Sequence, residues 1–306
     1  MRAQLRRGRG PAAFCLLSLS VACASAPAEL VTSRASAPGL SNATEGETWR
    51  DRLVDPVSQP TLFESPVIET NIEPIIISQE FPSDSIFDGG GFNVIAVQAR
   101  LAITDRFALI ATKDGWIDLD PDTGSDETGL ADIAGGFKYA LIDDPELGLL
   151  VTPGLTLEVP AGDDRVFQNN GDGVLRPFVS AAQDYGATEI VANVGYSLPL
   201  EGDEESSSVD YHLMIAHEVS EGVSPLIEFN GITYTSDGDA LPVDFEGGDL
   251  INLGASDVDG NTVISGALGV RWRINPRILF GATYEIPVTS REDLLDSRLT
   301  LDVILY

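Results

Sequence analysis

The sequence predicts an all-β fold, a transmembrane antiparallel β-barrel of about 12 strands and of the outer-membrane type. Three observations predict it. Apolar residues recur at every second position in many segments, charged residues occupy the opposite phase of those segments, and the connections are alternately short and long. After residue 60 no segment of any length shows the period of a helix.

The first 28 residues have the layout of a secretory signal peptide. A basic start with Arg2 and Arg6 precedes an apolar run from Ala12 to Ala22, and small residues before and at Ala28 suit cleavage there. The apolar run is shorter than the roughly 20 residues that a membrane-spanning helix needs. A second interpretation uses Cys23, because "SVAC" resembles a bacterial lipobox in which the cysteine is lipidated; the sequence leaves both open.

Alternation with period two is clearest in seven segments. They are residues 94–103, 130–142, 147–159, 189–200, 263–274, 278–288 and 298–305. Eleven strands fit between residue 94 and the C-terminus, and "VIETNIEPIIISQEF" (67–81) supplies a twelfth, with a break or bulge expected at Pro74. The predicted organisation is a signal peptide over 1–28, a polar linker over 29–60 and the barrel over 61–306.

The connections support a membrane barrel over a soluble sandwich. Short ones are predicted at 104–106, 143–146, 184–187, 221–223 and 275–277. Long ones are predicted at 120–129, 161–173, 201–208, 237–261 and 289–297. Tight turns at one end and long loops at the other are typical of outer-membrane barrels. An even number of strands brings both termini to the periplasmic end.

Charge and cysteine content exclude two classes of protein. The formal net charge is −30, and loss of the four arginines in residues 1–28, which hold no acid, makes it −30 − 4 = −34. Nucleic acid is therefore not an expected partner, because phosphate binding needs lysine and arginine. Both cysteines, Cys15 and Cys23, lie in the signal region, so the mature chain is not a disulfide scaffold.

Charged residues on the strands share the phase opposite to the apolar face. In a barrel they face the lumen, because arginine or lysine exposed to lipid at mid-membrane costs about 2–4 kcal/mol. The predicted lumen-lining charged residues are Arg100, Asp132, Lys138, Glu158, Glu189, Asp210, Arg271, Arg273, Glu285 and Asp302. They would either line a conducting pore or form a sealed network of ion pairs. A bulge near Gly115 is expected to turn both Lys113 and Asp114 inward.

Sites for catalysis, cofactors or tightly bound metal are not predicted. No Walker loop, dinucleotide fingerprint or zinc-type cysteine pattern occurs. His212 shares the lumen phase and is expected to serve as a hydrogen-bonding residue. The acidic loops contain "DDRVFQNNGDG" (163–173) and "DVDGN" (257–261), which lack the spacing of an EF-hand but suggest loose binding of divalent cations.

Three segments carry a resemblance to a known group of proteins. They are "RLAITDRFALIATKDGWIDLD", "LADIAGGFKYALIDDPELGLLVTPGLTLEVPAGDDRVFQNNGDG" and "LRPFVSAAQDYG". They resemble uncharacterised bacterial outer-membrane β-barrels that are similar to transporter or meta-pathway phenol-degradation outer-membrane proteins. The resemblance covers about residues 61–306 and implies passage of small hydrophobic or aromatic molecules. Tyr306 is the terminal aromatic residue expected of such barrels, whereas Asp302 departs from the usual apolar pattern.

These observations together predict a bacterial outer-membrane barrel that lets small molecules pass without catalysing a reaction. Its expected partners are outer-membrane lipid and small solutes, with divalent cations at the acidic loops. Two alternatives remain at this point. One is an outer-membrane hydrolase that uses His212 and lumenal carboxylates, and the other is a structural or adhesive surface barrel without transport.

Overall fold

The chain from Asn71 to Leu305 winds into a single antiparallel β-sheet that closes on itself. The computed structural model describes residues 48–306. Its strand segments are β1 (Asn71–Glu80), β2 (Gly90–Ala102), β3 (Phe107–Lys113), β4 (Trp116–Pro121), β5 (Glu127–Leu130), β6 (Ile133–Tyr139), β7 (Ile142–Asp144), β8 (Leu149–Val159), β9 (Val174–Asp184), β10 (Thr188–Pro199), β11 (Ser207–His217), β12 (Val223–Ser236), β13 (Thr262–Asn275), β14 (Ile278–Pro287) and β15 (Ser297–Leu305). Short 3₁₀ turns occur at Trp49–Arg52 and Asp164–Val166.

The sheet is a closed barrel of 12 spans, as predicted. The spans pair antiparallel with their neighbours, and β1 pairs with β15 as well as with β2, so the sheet closes on itself. The segments β3 and β4 lie end to end along β2, and together they form one span. In the same way β5, β6 and β7 form the next span, which pairs with β4, β3 and β8.

Two local expectations meet the structure differently. The break at Pro74 is wrong, because β1 keeps its register through Glu73, Pro74 and Ile75 opposite residues of β2. The bulge expected near Gly115 is found earlier in the third span, as a register shift between Ala111 and Lys113 that leaves Lys113 buried. Asp114 instead accepts a hydrogen bond from the backbone amide of Val97 at 2.8 Å, which fills the gap between β3 and β4.

The outer surface of the barrel is apolar. In β1 buried and exposed residues alternate strictly, and the exposed phase carries Ile72 and Ile76. Val194 and Leu268 lie on the same outer face of other strands and are 53% and 68% exposed. A belt of exposed aliphatic side chains around a closed sheet suits the hydrocarbon of a bilayer. Among residues 48–306 no helix is long and apolar enough to cross a membrane.

The two ends of the barrel differ, as the connections predicted. The turn end carries the short connections 103–106, 145–148, 185–187, 218–222 and 276–277, and the loop end carries the long ones, of which 237–261 is the longest. The N-terminal boundary differs from the prediction of a linker over 29–60 and a barrel from residue 61. The first strand begins at Asn71, and residues 53–70, hereafter the lumen segment, lie inside the barrel except for exposed Thr70 at their end.

Candidate functional site: the lumen and the segment that fills it

The lumen segment enters the barrel at the turn end, reaches the loop end and returns. Just before it, Arg52 pairs with Asp184 at 2.5 Å on the rim of the turn end. The chain reverses at Gln59, whose φ of 48° is left-handed and whose carbonyl accepts from the amides of residues 62 and 63. Near this reversal Thr61 donates its hydroxyl to Asp249 of the longest loop at 3.0 Å. The segment therefore runs almost the whole length of the lumen.

An apolar contact seals the turn end. Leu53, Val57 and Phe63 of the lumen segment are buried in one cluster with inward side chains of the wall. The wall contributes Ala108, Ala140, Leu150, Ala182, Val191, Met214, Ala216, Leu226, Leu279 and Ile304. In a water-filled lumen these apolar wall residues would be exposed to water. Their position explains why the inward phase of several strands becomes apolar towards the turn end.

A buried ionic cluster forms around Glu64 at the middle of the lumen. Glu64 accepts from Arg100 at 2.8 Å and from Lys138 at 2.6 Å, and all three side chains are nearly inaccessible to solvent. Arg100 also pairs with Glu73 of β1 at 2.5 Å. Lys138 has one further partner, the carbonyl of Ser65 at 2.8 Å. A carboxylate of the lumen segment thus satisfies two cations of the wall.

Wall carboxylates bind the ascending half of the lumen segment, residues 53–59, mainly through its backbone amides. Glu189 accepts from the amide of Val54 at 3.0 Å, and Glu228 accepts from the amides of Val57 and Ser58 at 2.9 and 2.8 Å. Glu285 accepts from the side-chain amide of Gln59 at 2.9 Å. These carboxylates satisfy donors of a segment that has no strand partner of its own.

Wall arginines bind the carbonyls of the same half. Arg271 is fully buried, pairs with Asp302 and donates to the carbonyls of Asp55 and Pro56. Arg273 donates to the carbonyl of Leu53 at 3.3 Å. The wall therefore offers acceptors to the amides and donors to the carbonyls of one short stretch.

Wall side chains also bind the descending half of the lumen segment, residues 60–70. Arg176 pairs with Asp210 at 2.5 Å and donates to the carbonyl of Leu62 at 2.7 Å. His212 lies between Asp210, at 3.2 Å, and Asn230, at 2.9 Å, and its ring stacks on Phe63 with centroids 5.1 Å apart. This is a structural setting for His212, since both ring nitrogens have neighbours and the ring face is covered.

Two of the predicted charged residues serve the loop end. Asp132 accepts from the amides of Ala161 and Gly162 at 2.9 and 2.8 Å and so anchors the loop after β8. Glu158 is half-buried and pairs with Lys113 at 2.5 Å. Neither residue contacts the lumen segment through these bonds.

The longest loop folds back over the loop end. Glu246 of this loop accepts from the hydroxyl of Ser206 and from the amides of Leu253 and Ala255 at 2.6, 2.6 and 2.8 Å. Burial raises the pKa of the Glu246 carboxyl, against the opposing effect of these donors. Asp249 pairs with Arg298 of β15 at 2.7 Å. The loop thus rests on the wall and on the tip of the lumen segment.

Of the ten predicted charged residues, eight are buried, and Glu158 and Arg273 are partly buried. Six of them contact the lumen segment directly: Arg100, Lys138, Glu189, Arg271, Arg273 and Glu285. Sequence reasoning missed Glu64, because it counts residues 61–66 as part of the barrel domain and looks for lumenal charges only on strands. It also missed Glu228 and Arg176, although both share the inward phase of well-patterned strands.

Comparison with solved structures shows the fold. An outer-membrane channel from Pseudomonas putida F1 is 14% identical, with a TM-score of 0.53 over 83% of this chain and 99% of that chain. The NanC porin is 9% identical, with a TM-score of 0.50 over 78% of this chain and 100% of that chain. No family model matches the sequence. No curated protein matches it. The fold is an outer-membrane β-barrel, and the apolar belt of this chain agrees with a place in the outer membrane of a bacterium.

Proposed function

We propose that this chain is an outer-membrane channel for small polar solutes, closed in this state by its own lumen segment. One observation carries the proposal. The interior is filled by a separate stretch of chain, and the side chains of the wall make hydrogen bonds to it. An eight-stranded barrel is just filled by its own side chains, whereas twelve strands enclose a wider space. Withdrawal of the lumen segment would open that space.

The wall that would then face water is suited to polar solutes. Its ionisable groups come from every part of the barrel. The basic ones are Arg100, Lys113, Lys138, Arg176, Arg271, Arg273 and Arg298, and the acidic ones are Glu73, Asp132, Glu158, Glu189, Asp210, Glu228, Glu285 and Asp302. This lining favours small polar molecules over the hydrophobic or aromatic ones that the sequence resemblance implies.

The charge balance favours cations and neutral solutes over anions. The eight acidic and seven basic wall groups nearly cancel, with 7 − 8 = −1. The loop at 237–261 adds seven acids, Asp237, Asp239, Asp244, Glu246, Asp249, Asp257 and Asp259, and no lysine or arginine. Rings of carboxylates at a pore mouth select cations. Binding of divalent cations by the loops stays a prediction, and within residues 48–306 no three His, Cys, Asp or Glu side chains gather as metal ligands.

The similar structures support a channel in general terms. One is described as a porin and the other as an outer-membrane channel, and each is covered almost completely by this chain. The hydrolase alternative has weaker support. Its only histidine candidate in the lumen, His212, is buried between Asp210, Asn230 and Phe63.

A reversible cross-link tests whether the lumen segment closes the channel. The side chains of Ser58 and Asn230 meet at 2.8 Å, one in the lumen segment and one in the wall. The variant Ser58→Cys with Asn230→Cys places two thiols at this contact, to be joined by oxidation. Without its signal peptide the predicted mature chain has no other cysteine.

Conductance of purified barrels in planar bilayers is the readout. We expect brief openings from the wild-type protein and the reduced double variant, and none from the oxidised one. A reductant should restore the openings, and each single-cysteine variant is the control. Equal conductance before and after oxidation, with the disulfide verified by mass, would show that the path does not depend on the lumen segment. A wild-type barrel silent under every condition would favour the structural alternative.

A further inference from the structure

A cavity of about 70 Å³ lies at the loop end, directly above the tip of the lumen segment. Thr61 and Leu62 form part of its floor, Thr156 belongs to its wall, and Leu250 and Asn252 of the longest loop belong to its cover. Any solute that enters from the loop end meets this cavity before it meets the closed part of the lumen.

The charges that line the cavity are unbalanced. Two are basic, Lys113 and Arg176, and four are acidic, Glu158, Glu205, Glu246 and Asp249, so that 2 − 4 = −2. Five of these six groups already have partners. Lys113 pairs with Glu158, Arg176 with Asp210 and Asp249 with Arg298. Glu246 accepts from Ser206, Leu253 and Ala255.

Glu205 is the exception. It is 4% exposed, yet its Oε2 has no hydrogen-bond partner among the described residues. A buried carboxylate oxygen without a donor is costly, and such groups are rare in folded proteins. The neighbouring acids make the site more unfavourable for a second negative charge and more favourable for a positive one.

We propose that this cavity binds a small organic cation, with the carboxylate of Glu205 as its ion partner. A primary ammonium fits the lining, because its three donors match one carboxylate and the hydroxyls of Thr156 and Ser208. A metal ion fits less well, since no three His, Cys, Asp or Glu side chains within residues 48–306 form a ligand set. This inference rests on the proposed channel and names the solute class that its loop-end vestibule receives.

The ionisation of Glu205 gives the site a defined pH dependence. Burial, with the charge of Glu158, raises the pKa of Glu205 to about 8, while Lys113 opposes the shift and Asp132 and Glu246 add to it. The ionised form binds the cation. Affinity therefore rises with pH through about 8 and is lost below it. The ionised fraction is about 1 in 100 at pH 6 and about 9 in 10 at pH 9, a difference of roughly 90-fold.

Calorimetric titration of the detergent-solubilised full-length barrel with ethylammonium chloride tests the inference. Acetate and ethanol serve as an anionic and a neutral comparison of similar size. We expect binding of ethylammonium alone, with an affinity that falls roughly 90-fold from pH 9 to pH 6. Ethylammonium stays charged over this range, as a lysine side chain with a pKa of about 10.4 does.

Two variants distinguish binding of the cation at Glu205 from its attraction to the acidic loops in general. Glu205→Gln removes the ion partner and should weaken binding about tenfold or more. Glu204→Gln is the matched control in the same loop, since Glu204 is exposed, and it should leave binding unchanged. Equal affinity of the two variants, or equal binding of acetate, would overturn the inference. If Glu205→Gln does not fold, the pH series on the unaltered protein decides alone, and a flat series would overturn it.

The result is separable from the proposed function. A barrel that opens on reduction of the Ser58–Asn230 cross-link but does not bind ethylammonium overturns this inference and leaves the channel intact. A barrel that binds ethylammonium with the expected pH dependence but never conducts supports this site and overturns the channel.

Discussion

Glu64→Gln should release the lumen segment while leaving the barrel wall folded. The substitution removes the carboxylate that satisfies Arg100 and Lys138, and Gln keeps nearly the same size. Arg100 retains Glu73, whereas fully buried Lys138 loses its ion partner and keeps only neutral acceptors such as the carbonyl of Ser65. One uncompensated charge therefore remains inside the barrel. Removal of one partner from a buried ion pair costs about 3–5 kcal/mol.

This cost applies only while the lumen segment is in place, since water reaches Lys138 once the segment leaves. A cost of about 3 kcal/mol, the lower limit of this range, would raise the fraction of molecules with a released lumen segment about 150-fold. Each 1.36 kcal/mol changes an equilibrium constant by a factor of ten. The double variant Glu64→Gln with Lys138→Met removes both charges, and its released fraction should fall most of the way back to that of the unaltered protein. Asp51→Asn, an exposed acid just before the lumen segment, is the control and should have no effect.

A cysteine at Ser180 reports the release. Ser180 is fully buried, and its hydroxyl donates to the carbonyl of Glu64 at 2.6 Å, so the lumen segment covers it. When reclosing is faster than labelling, the rate of reaction with a water-soluble maleimide is proportional to the open fraction. We expect labelling of Ser180→Cys to accelerate about 150-fold with Glu64→Gln. An unchanged rate would refute the reasoning, as would acceleration that accompanies loss of the heat-resistant folded form.

Three further outcomes are expected. In vesicles, Val194→Cys should react with a lipophilic label and Asn193→Cys should not, because Val194 faces outward and Asn193 is buried. Similar labelling of the two variants would contradict the barrel. Once the lumen segment is released, Glu158→Gln should lower the preference of the pore for cations. The reversal potential in a salt gradient measures this preference. A preference of the unaltered pore for chloride would contradict the electrostatic reasoning. Gly231→Ala should lower the free energy of unfolding by about 1–3 kcal/mol, because a Cβ there would lie 2.1 Å from the ring of Tyr211; unchanged urea stability would show that the ring moves aside freely.

The fold could be predicted from the sequence because its determinants are local. Alternation along each strand records which side chains meet lipid, and short and long connections record the two ends of the barrel. The strand number, the outward phase of Val194 and Leu268 and the inward phase of Arg271 all follow from patterns within about ten residues. The break at Pro74 was wrong, because neighbouring strands keep the register of β1 around a residue that propensity alone disfavours.

The occupant of the lumen was decided only by the tertiary structure. Arg271 meets the carbonyl of Asp55 across 216 positions of sequence, and Glu64 meets Lys138 across 74. No periodicity encodes such pairs, since the lumen segment has no strand partner and its partners are single groups on many strands. Two signals were present in the sequence: the apolar residues Leu53 and Val57 within a polar stretch, and inward apolar residues at the turn end. The sequence by itself determined that the charged side chains share the phase opposite to the apolar face. Only the folded chain determined that residues 53–70 satisfy many of them, because burial of a charge requires a partner that the chain has to bring there from a distance.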